Sequence, residues 1–273
     1  MQIEERAAKI RRYIYKMAHK AGGGHLGAAF SIADILSVLY FDDVLKYDAV
    51  NPDWEERDKF ILSKGHAGYA LYAVLAEAGY FSEEELWHVG QGDSKFGGHP
   101  KMHDIPGVEA STGALGHGLS FAIGIAYANK VDEKKNHVYV VLGDGECQEG
   151  SIWEGALSAP TLALDNLTVI IDHNKLQAMD SLEKIVRMHP FADKWKAFGW
   201  SVVEIDGHNY RQIKDALLFR EPGKPVLIIA NTVKGKGVSF MENVPIWHYR
   251  MPNEEELMVL MKELNLTKED LEK

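Results

Sequence analysis

The sequence predicts an α/β fold in which a parallel sheet carries helices on both faces. Three observations point to it. VYVVL (138–142) and LTVIID (167–172) are apolar, β-branched runs, each ending in a small polar cluster, with a helical segment between them. Strand, crossover helix and second strand bring the two polar ends out side by side at one sheet edge. The rhythm repeats toward the carboxyl end as WSVVEIDG, NYRQIKDALLFR and KPVLIIANT. Finally, no Pro/Gly/Ser-rich linker interrupts the chain, so residues 1–273 read as one domain.

In chain order, residues from Ile3 to about Lys20 place Ile3, Ala7, Ile10, Ile14 and Met17 on one face of an amphipathic helix that stops at AGGGH. Three glycines exceed what a helix stop requires, and they carry His25 on a backbone without side-chain shielding. SIADILSVLYF (31–41) predicts a buried helix, and KFIL (59–62) a short strand. SKGHAGYALYAVLAEAGY then sets His66 near a helix amino terminus, where partial positive charge favours an anion; a structural histidine suits the same place. Ser82 and Glu85 make a capping box for a short helix. Residues 90–113 predict a long irregular loop holding His99 and His103, whose prolines and glycines argue against a helical zinc pair. TGALGHGLSFAIGIAYANK becomes a helix whose glycines permit close packing. After a helix from about Pro190 and the strand–helix–strand series, TVKGKGVSFMENVPIWHYRMP is again irregular and carries His248. A last helix sets Leu257, Leu260, Met261 and Leu264 on one face, expected to join the core.

Asp144, between Gly143 and Gly145, ends the first apolar run, and Asn174 follows the second. A carboxylate, a side-chain amide and a loop carbonyl such as that of Leu176 make an all-oxygen set suited to magnesium or calcium. The glycines let an anion approach the backbone, and amides at the next helix start would face it. Metal plus anion points to a diphosphate. An ordinary βαβ unit whose acidic residue caps the next helix accounts for the same residues, because GDG triplets and strand-end asparagines are common turn chemistry.

With 46% hydrophobic and 26% charged residues, the chain can bury a large core. Its formal net charge of -10 argues against nucleic acid, which favours a basic face. A polyanionic cofactor would need local compensation from metal, histidines and backbone amides. The single Cys147 excludes an intramolecular disulfide, which suits a reducing cytoplasm, and nothing assigns it a base. MQIEERAAKIRRYIY has no apolar h-region, so neither a signal peptide nor a membrane span is expected, and the expected location is cytoplasmic.

GDG, the 28 residues from Glu146 to His173, and then Asn174 resemble the thiamine diphosphate motif, with His173 replacing the first of the usual two asparagines. Around it GGGHLGA, LSKGHAGYALYAVL, FGGHPK, STGALGHGLSFAIGIA, LGDGECQEGSIWEGALSA, DHNKLQ, VKGKGVS and WHYRMPNEEE resemble the amino-terminal, diphosphate-binding portion of transketolase, in that family's order and along essentially the whole chain. The resemblance implies a parallel sheet of about six strands. It implies that Asp144, Asn174 and the Leu176 carbonyl hold magnesium, for which Ca2+ or Mn2+ could substitute. His66, the Gly145 amide and His248 are implied to contact the diphosphate of thiamine diphosphate, and Gly113 and Leu115 the cofactor rings. His25, His99 and His248 are implied to line the substrate channel, the first and last for proton transfer and His99 for hydroxyl recognition. Imidazole suits that work, since its ordinary pKa lies near neutrality. Glu149 is implied to communicate across a dimer interface. His117 stands where the family often has Gln, and no role is assigned to it.

In transketolases the glutamate that activates the cofactor and the arginines that grip the sugar phosphate belong to later domains, which this sequence does not carry. The resemblance therefore implies one subunit of a split transketolase, completed by a separate carboxyl-terminal subunit in an α2β2 assembly. The implied reaction moves a two-carbon ketol unit from a ketose phosphate to an aldose phosphate. A related enzyme acting on a branched sugar phosphate fits the same residues. A magnesium-dependent nucleotide- or phosphate-binding domain built on Asp144 is disfavoured because the Walker and dinucleotide glycine spacings are missing. Intact Asp144, Asn174 and histidines disfavour a non-catalytic assembly subunit.

Overall fold

The computed structural model describes residues 1–272. The apolar runs form five strands: β1 (Lys59–Leu62), β2 (Val138–Gly143), β3 (Leu167–His173), β4 (Ser201–Asp206) and β5 (Val226–Asn231). All neighbours are parallel, in the order β1-β2-β3-β5-β4. The expectation of about six strands is thereby corrected to five among the described residues. The strand rhythm read along the chain has five apolar runs. The two long segments that could have held another, 89–117 and 232–253, are broken by glycines and prolines and form no strand.

The helices are α1 (Ile3–Ala21), α2 (Leu26–Phe30), α3 (Ala33–Phe41), α4 (Gly68–Glu77), α5 (Gly118–Val131), α6 (Gly150–Thr161), α7 (Leu182–Ile185), α8 (Phe191–Phe198), α9 (Tyr210–Leu218), α10 (Glu254–Glu263) and α11 (Lys268–Glu272). The GGG stop works as expected: Gly22 takes φ 70°, and its N–H reaches back to the Ala18 and His19 carbonyls. The expected helix over 31–41 begins two residues later, and LGAAF folds into the separate short α2. Ser82 and Glu85 do form a capping box, over a tighter 3₁₀ turn at Glu83–His88.

Alternation along each strand divides the core. Tyr139, Val141, Ile170, Ile228 and Ala230 face α1, α3, α4 and α9, whereas Val140, Leu142, Val169, Ile171 and Ile229 face α5, α6 and α8. Leu260, Met261 and Leu264 of the terminal segment are buried in the first of these layers, as expected for core. No described helix is long and apolar enough to cross a membrane.

The same alternation sets up the edge that matters for function. Gly143 is in register with Asp172, and His173 with Asn231, so the ends of β2, β3 and β5 lie level. Past the last pair, the Asp144 N–H donates to the Asp172 carbonyl at 3.3 Å, which holds the two polar clusters side by side.

Candidate active site

A cavity of about 410 Å³ opens at this carboxyl edge, the place where open parallel sheets bind ligands. His25, His66, His99, His248, Gly113, Leu115, Asp144, Gly145, Asn174 and Leu176 all line it, as does Glu149. His103 and His117 do not. The segments that bring these residues together are the turn before α2, the turn after β1, the loop before α5, the ends of β2 and β3, and the segment after β5.

One wall is a row of oxygens. Asp144 is 3% exposed. One of its carboxylate oxygens accepts from the Gly145 N–H at 2.7 Å and the other from the Lys175 N–H at 2.6 Å. His173 Nδ1 lies 3.3 Å from the second oxygen but is not aligned to donate. Asn174 donates Nδ2 to Asp172 at 2.9 Å, and its Oδ1 accepts the Leu176 N–H at 3.1 Å. Each of these oxygens keeps lone-pair capacity beyond the hydrogen bond it accepts. Among the described residues no group of three or more His, Cys, Asp or Glu could hold a metal. A set of one carboxylate with two neutral oxygens instead suits a hard cation that completes its coordination with ligand oxygens. Beside it the Gln177 Nε2 is buried without a partner, a donor left for a ligand acceptor. A Cβ at Gly145 would meet Gln177 Cγ at 2.9 Å, so glycine lets the Gln177 side chain lie close against the backbone there.

The opposite wall is imidazole. The His25 ring centre lies 5.1 Å from that of His248, 5.4 Å from His66 and 6.3 Å from His99, and Tyr249 packs edge-on to it at 4.9 Å. Burial, followed by the repulsion of His99, Lys234 and Lys64, pulls His25 down to about 4. Burial and then Lys234 bring His248 down to about 4 as well. Both rings are therefore neutral near pH 7, able to accept a proton. In unfolded chain they protonate near the ordinary 6.5, so the folded state binds fewer protons below that pH and loses stability as pH falls toward about 4. In the ligand-free chain, the urea midpoint is expected to fall across this window. His25→Asn should flatten the slope, and an unchanged slope would contradict the burial of a neutral His25.

Four participants were not visible in the sequence. Lys64 and Asp172, 1% and 0% exposed, form a buried ion pair beneath the cavity. Asp172 also accepts from Ser31 at 2.7 Å, from Thr232, and from the Asn174 amide, so it orients the Asn174 side chain. Burial raises the Asp172 carboxyl, but Lys64, Thr232 and Ser31 outweigh it and hold the group below the usual carboxylate range. Lys234 reaches in from the segment after β5, donating to the Gln177 carbonyl at 3.0 Å and the Leu176 carbonyl at 3.4 Å, with its Nζ 3.1 Å from His248 Nδ1. Burial and then Lys64 lower it to about 8, so it remains a cation at neutral pH. Glu146, 2% exposed, accepts from Ser63, from the Gly116 N–H at 2.9 Å and from the Gly143 N–H at 3.0 Å. It thereby ties the loop bearing Gly113 and Leu115 to the ends of β1 and β2. The only sequence signal for these groups was a charged residue at or within three positions of the end of an apolar strand run, which is also where surface charges begin.

Together the two walls gather cations, amides and an oxygen set around one cavity, within an acidic protein. Comparison with known proteins agrees with that chemistry. Residues 3–270 match the family described as "Transketolase, thiamine diphosphate binding domain". One subunit of the apulose-4-phosphate transketolase of Actinobacillus succinogenes is 46% identical over 268 residues, covering 96% of both chains. A 6-deoxy-6-sulfo-D-fructose transketolase subunit from Clostridium sp. is 41% identical over 266 residues, covering 97% of this chain and 96% of that one. Transketolase from Leishmania mexicana superposes with a TM-score of 0.91 at 30% identity, over 99% of this chain but 43% of that one. The chain spans less than half of that solved transketolase and nearly the whole of the two subunits. With the family match over residues 3–270 and the near full-length relatives in agreement, this chain belongs to the transketolase family, as its thiamine diphosphate binding domain.

Proposed function

We propose that this chain is the diphosphate-binding subunit of a split transketolase, which moves a two-carbon ketol unit from a ketose phosphate to an aldose phosphate. The observation that carries the reading is the meeting, in one cavity, of the Asp144–Asn174–Leu176 oxygen set with His25, His66, His99 and His248. Near full-length similarity to two chains named as subunits supports the split arrangement. The partner would supply the activating glutamate and the groups that grip the sugar phosphate, in an α2β2 assembly.

On this reading Asp144, Asn174 and the Leu176 carbonyl hold Mg2+. His66, His248, Lys234 and the Gly145 amide face the diphosphate, and Gly113 and Leu115 face the rings. Thiamine diphosphate, when bound, supplies the electron sink for carbon–carbon cleavage. The protein's own groups orient the substrate and manage its protons. His25 and His248, neutral near pH 7, take a hydroxyl proton from the donor ketose and return one to the acceptor. His99, packed over Gly113, meets a substrate hydroxyl at the cavity mouth.

The test is co-purification with a carboxyl-terminal transketolase subunit, followed by a ketol-transfer assay with and without magnesium and thiamine diphosphate. The complex is expected to turn over only with both, and the chain alone to be nearly inactive. Vigorous turnover by the chain alone would end the split reading; no transfer by the loaded complex on any ketose would end the transketolase reading. A second donor class is favoured by the relatives named for apulose-4-phosphate and 6-deoxy-6-sulfo-D-fructose, and both belong in the donor screen.

A further inference from the structure

Outside the cavity, at the far edge of the sheet, lies a buried polar relay that the reaction does not use. Asp34 of α3 is held by Arg11 of α1 through two bonds, at 3.0 and 2.7 Å, and accepts from Tyr210 at 3.1 Å. Its remaining partner is His208, in the turn between β4 and α9, whose Nδ1 lies 2.6 Å from Asp34 Oδ2. The other ring nitrogen, Nε2, accepts the backbone N–H of Val233 at 2.8 Å. A nitrogen that accepts a backbone N–H carries no hydrogen, so the ring proton sits on Nδ1 and is donated to Asp34. The turn is built for this contact. The Gly207 N–H donates to the Asn231 carbonyl at 2.8 Å, and a Cβ at Gly207 would clash with Thr232 Cγ2.

Val233 immediately precedes Lys234, the cation that reaches the Leu176 and Gln177 carbonyls and His248. We infer that His208 is a positioning residue for Lys234. Fixed in one tautomer by Asp34, it pins the Val233 amide and so sets where the Lys234 ammonium meets the diphosphate. The inference rests on the proposed function only for the identity of that anion. Other bonds flank the contact, from Thr232 to Asp172 and from the Gly235 N–H to the Gly27 carbonyl at 3.0 Å, but the Val233 N–H itself is held by His208.

Two near-isosteric variants separate positioning from bulk stability. His208→Gln keeps an acceptor near the Nε2 place and abandons Asp34; His208→Asn keeps a donor near the Nδ1 place and leaves the Val233 N–H unpaired. Amide exchange of Val233 and Lys234 is measured on the chain. The Kd of thiamine diphosphate with Mg2+ is measured by tryptophan fluorescence on the complex with the carboxyl-terminal subunit. His208→Asn is expected to speed exchange at Val233 roughly tenfold and to raise the Kd about tenfold, with His208→Gln within about threefold of the unaltered protein on both. A purely structural role gives the opposite order, with His208→Gln worse because it deserts the buried Asp34. That order, or equal effects in the two variants, overturns the inference. If the unaltered complex does not bind thiamine diphosphate, the proposed function fails, and the exchange order alone still decides the role of His208.

Discussion

Asp144→Ala is expected to weaken magnesium-dependent thiamine diphosphate binding by at least about 100-fold, more than loss of an outer partner of a metal ligand usually costs. Asp144 is the one carboxylate in the oxygen set, so on the proposed reading its removal takes away the only formal negative charge that the set would offer directly to a cation. Asn174 and the Leu176 carbonyl, both neutral, cannot replace it. The substitution also strips an acceptor from the Gly145 and Lys175 amides, which a ligand-free melting curve monitors separately. Calorimetric titration of the complex with cofactor at fixed Mg2+ checks the result. Unchanged metal and cofactor affinity would show that Asp144 serves the turn alone, the ordinary βαβ role that its position also fits.

The second large effect is expected at His25. His25→Ala should reduce ketol-transfer turnover by about 10²–10⁴-fold, the range for loss of a general acid–base group, while the cofactor Kd stays within about threefold. The split between turnover and binding follows from the geometry. His25 sits at the centre of the imidazole cluster, within 6.3 Å of His66, His99 and His248, and no hydrogen bond ties it to the oxygen wall. His248, in contrast, lies 3.1 Å from Lys234, so its removal should disturb both quantities. Steady-state kinetics of the complex with a ketose phosphate donor, alongside direct binding of cofactor, separates the two. Turnover within threefold of the unaltered enzyme would remove His25 from proton transfer.

Glycine positions explain why the cavity tolerates so many polar groups at close range. A Cβ at Gly65 would lie 2.7 Å from the Gly113 nitrogen, and one at Gly118 would clash with Ser63 Oγ. The loop bearing Gly113 and Leu115 therefore seats directly on the turn that bears Lys64 and His66, with Glu146 accepting from both sides. That contact converts a long irregular segment into a fixed wall.

Much of this was legible in the chain itself, because it depends on near neighbours. The five apolar runs, the GGG stop after α1 and the capping box at Ser82 follow from local periodicity and backbone sterics. A strand–helix–strand unit must set its two polar ends side by side, so the adjacency of Asp144 and Asn174 also came from local reasoning. The convergence of His25, His66, His99 and His248 did not, since their sequence positions span most of the chain and only sheet order and loop closure bring them together. Lys64 and Lys234 were hidden for the same reason, their burial being set by distant carboxylates and carbonyls. Asp172 was hidden by alternation: neighbouring His173 points to the α8 side, and which face receives Lys64 depends on helices packed from elsewhere. Local residue order thus specified the elements and the chemistry at their ends. The strand order, the wall of histidines and the buried cations were settled only by the folded chain, because contacts between remote residues leave no periodic trace along it.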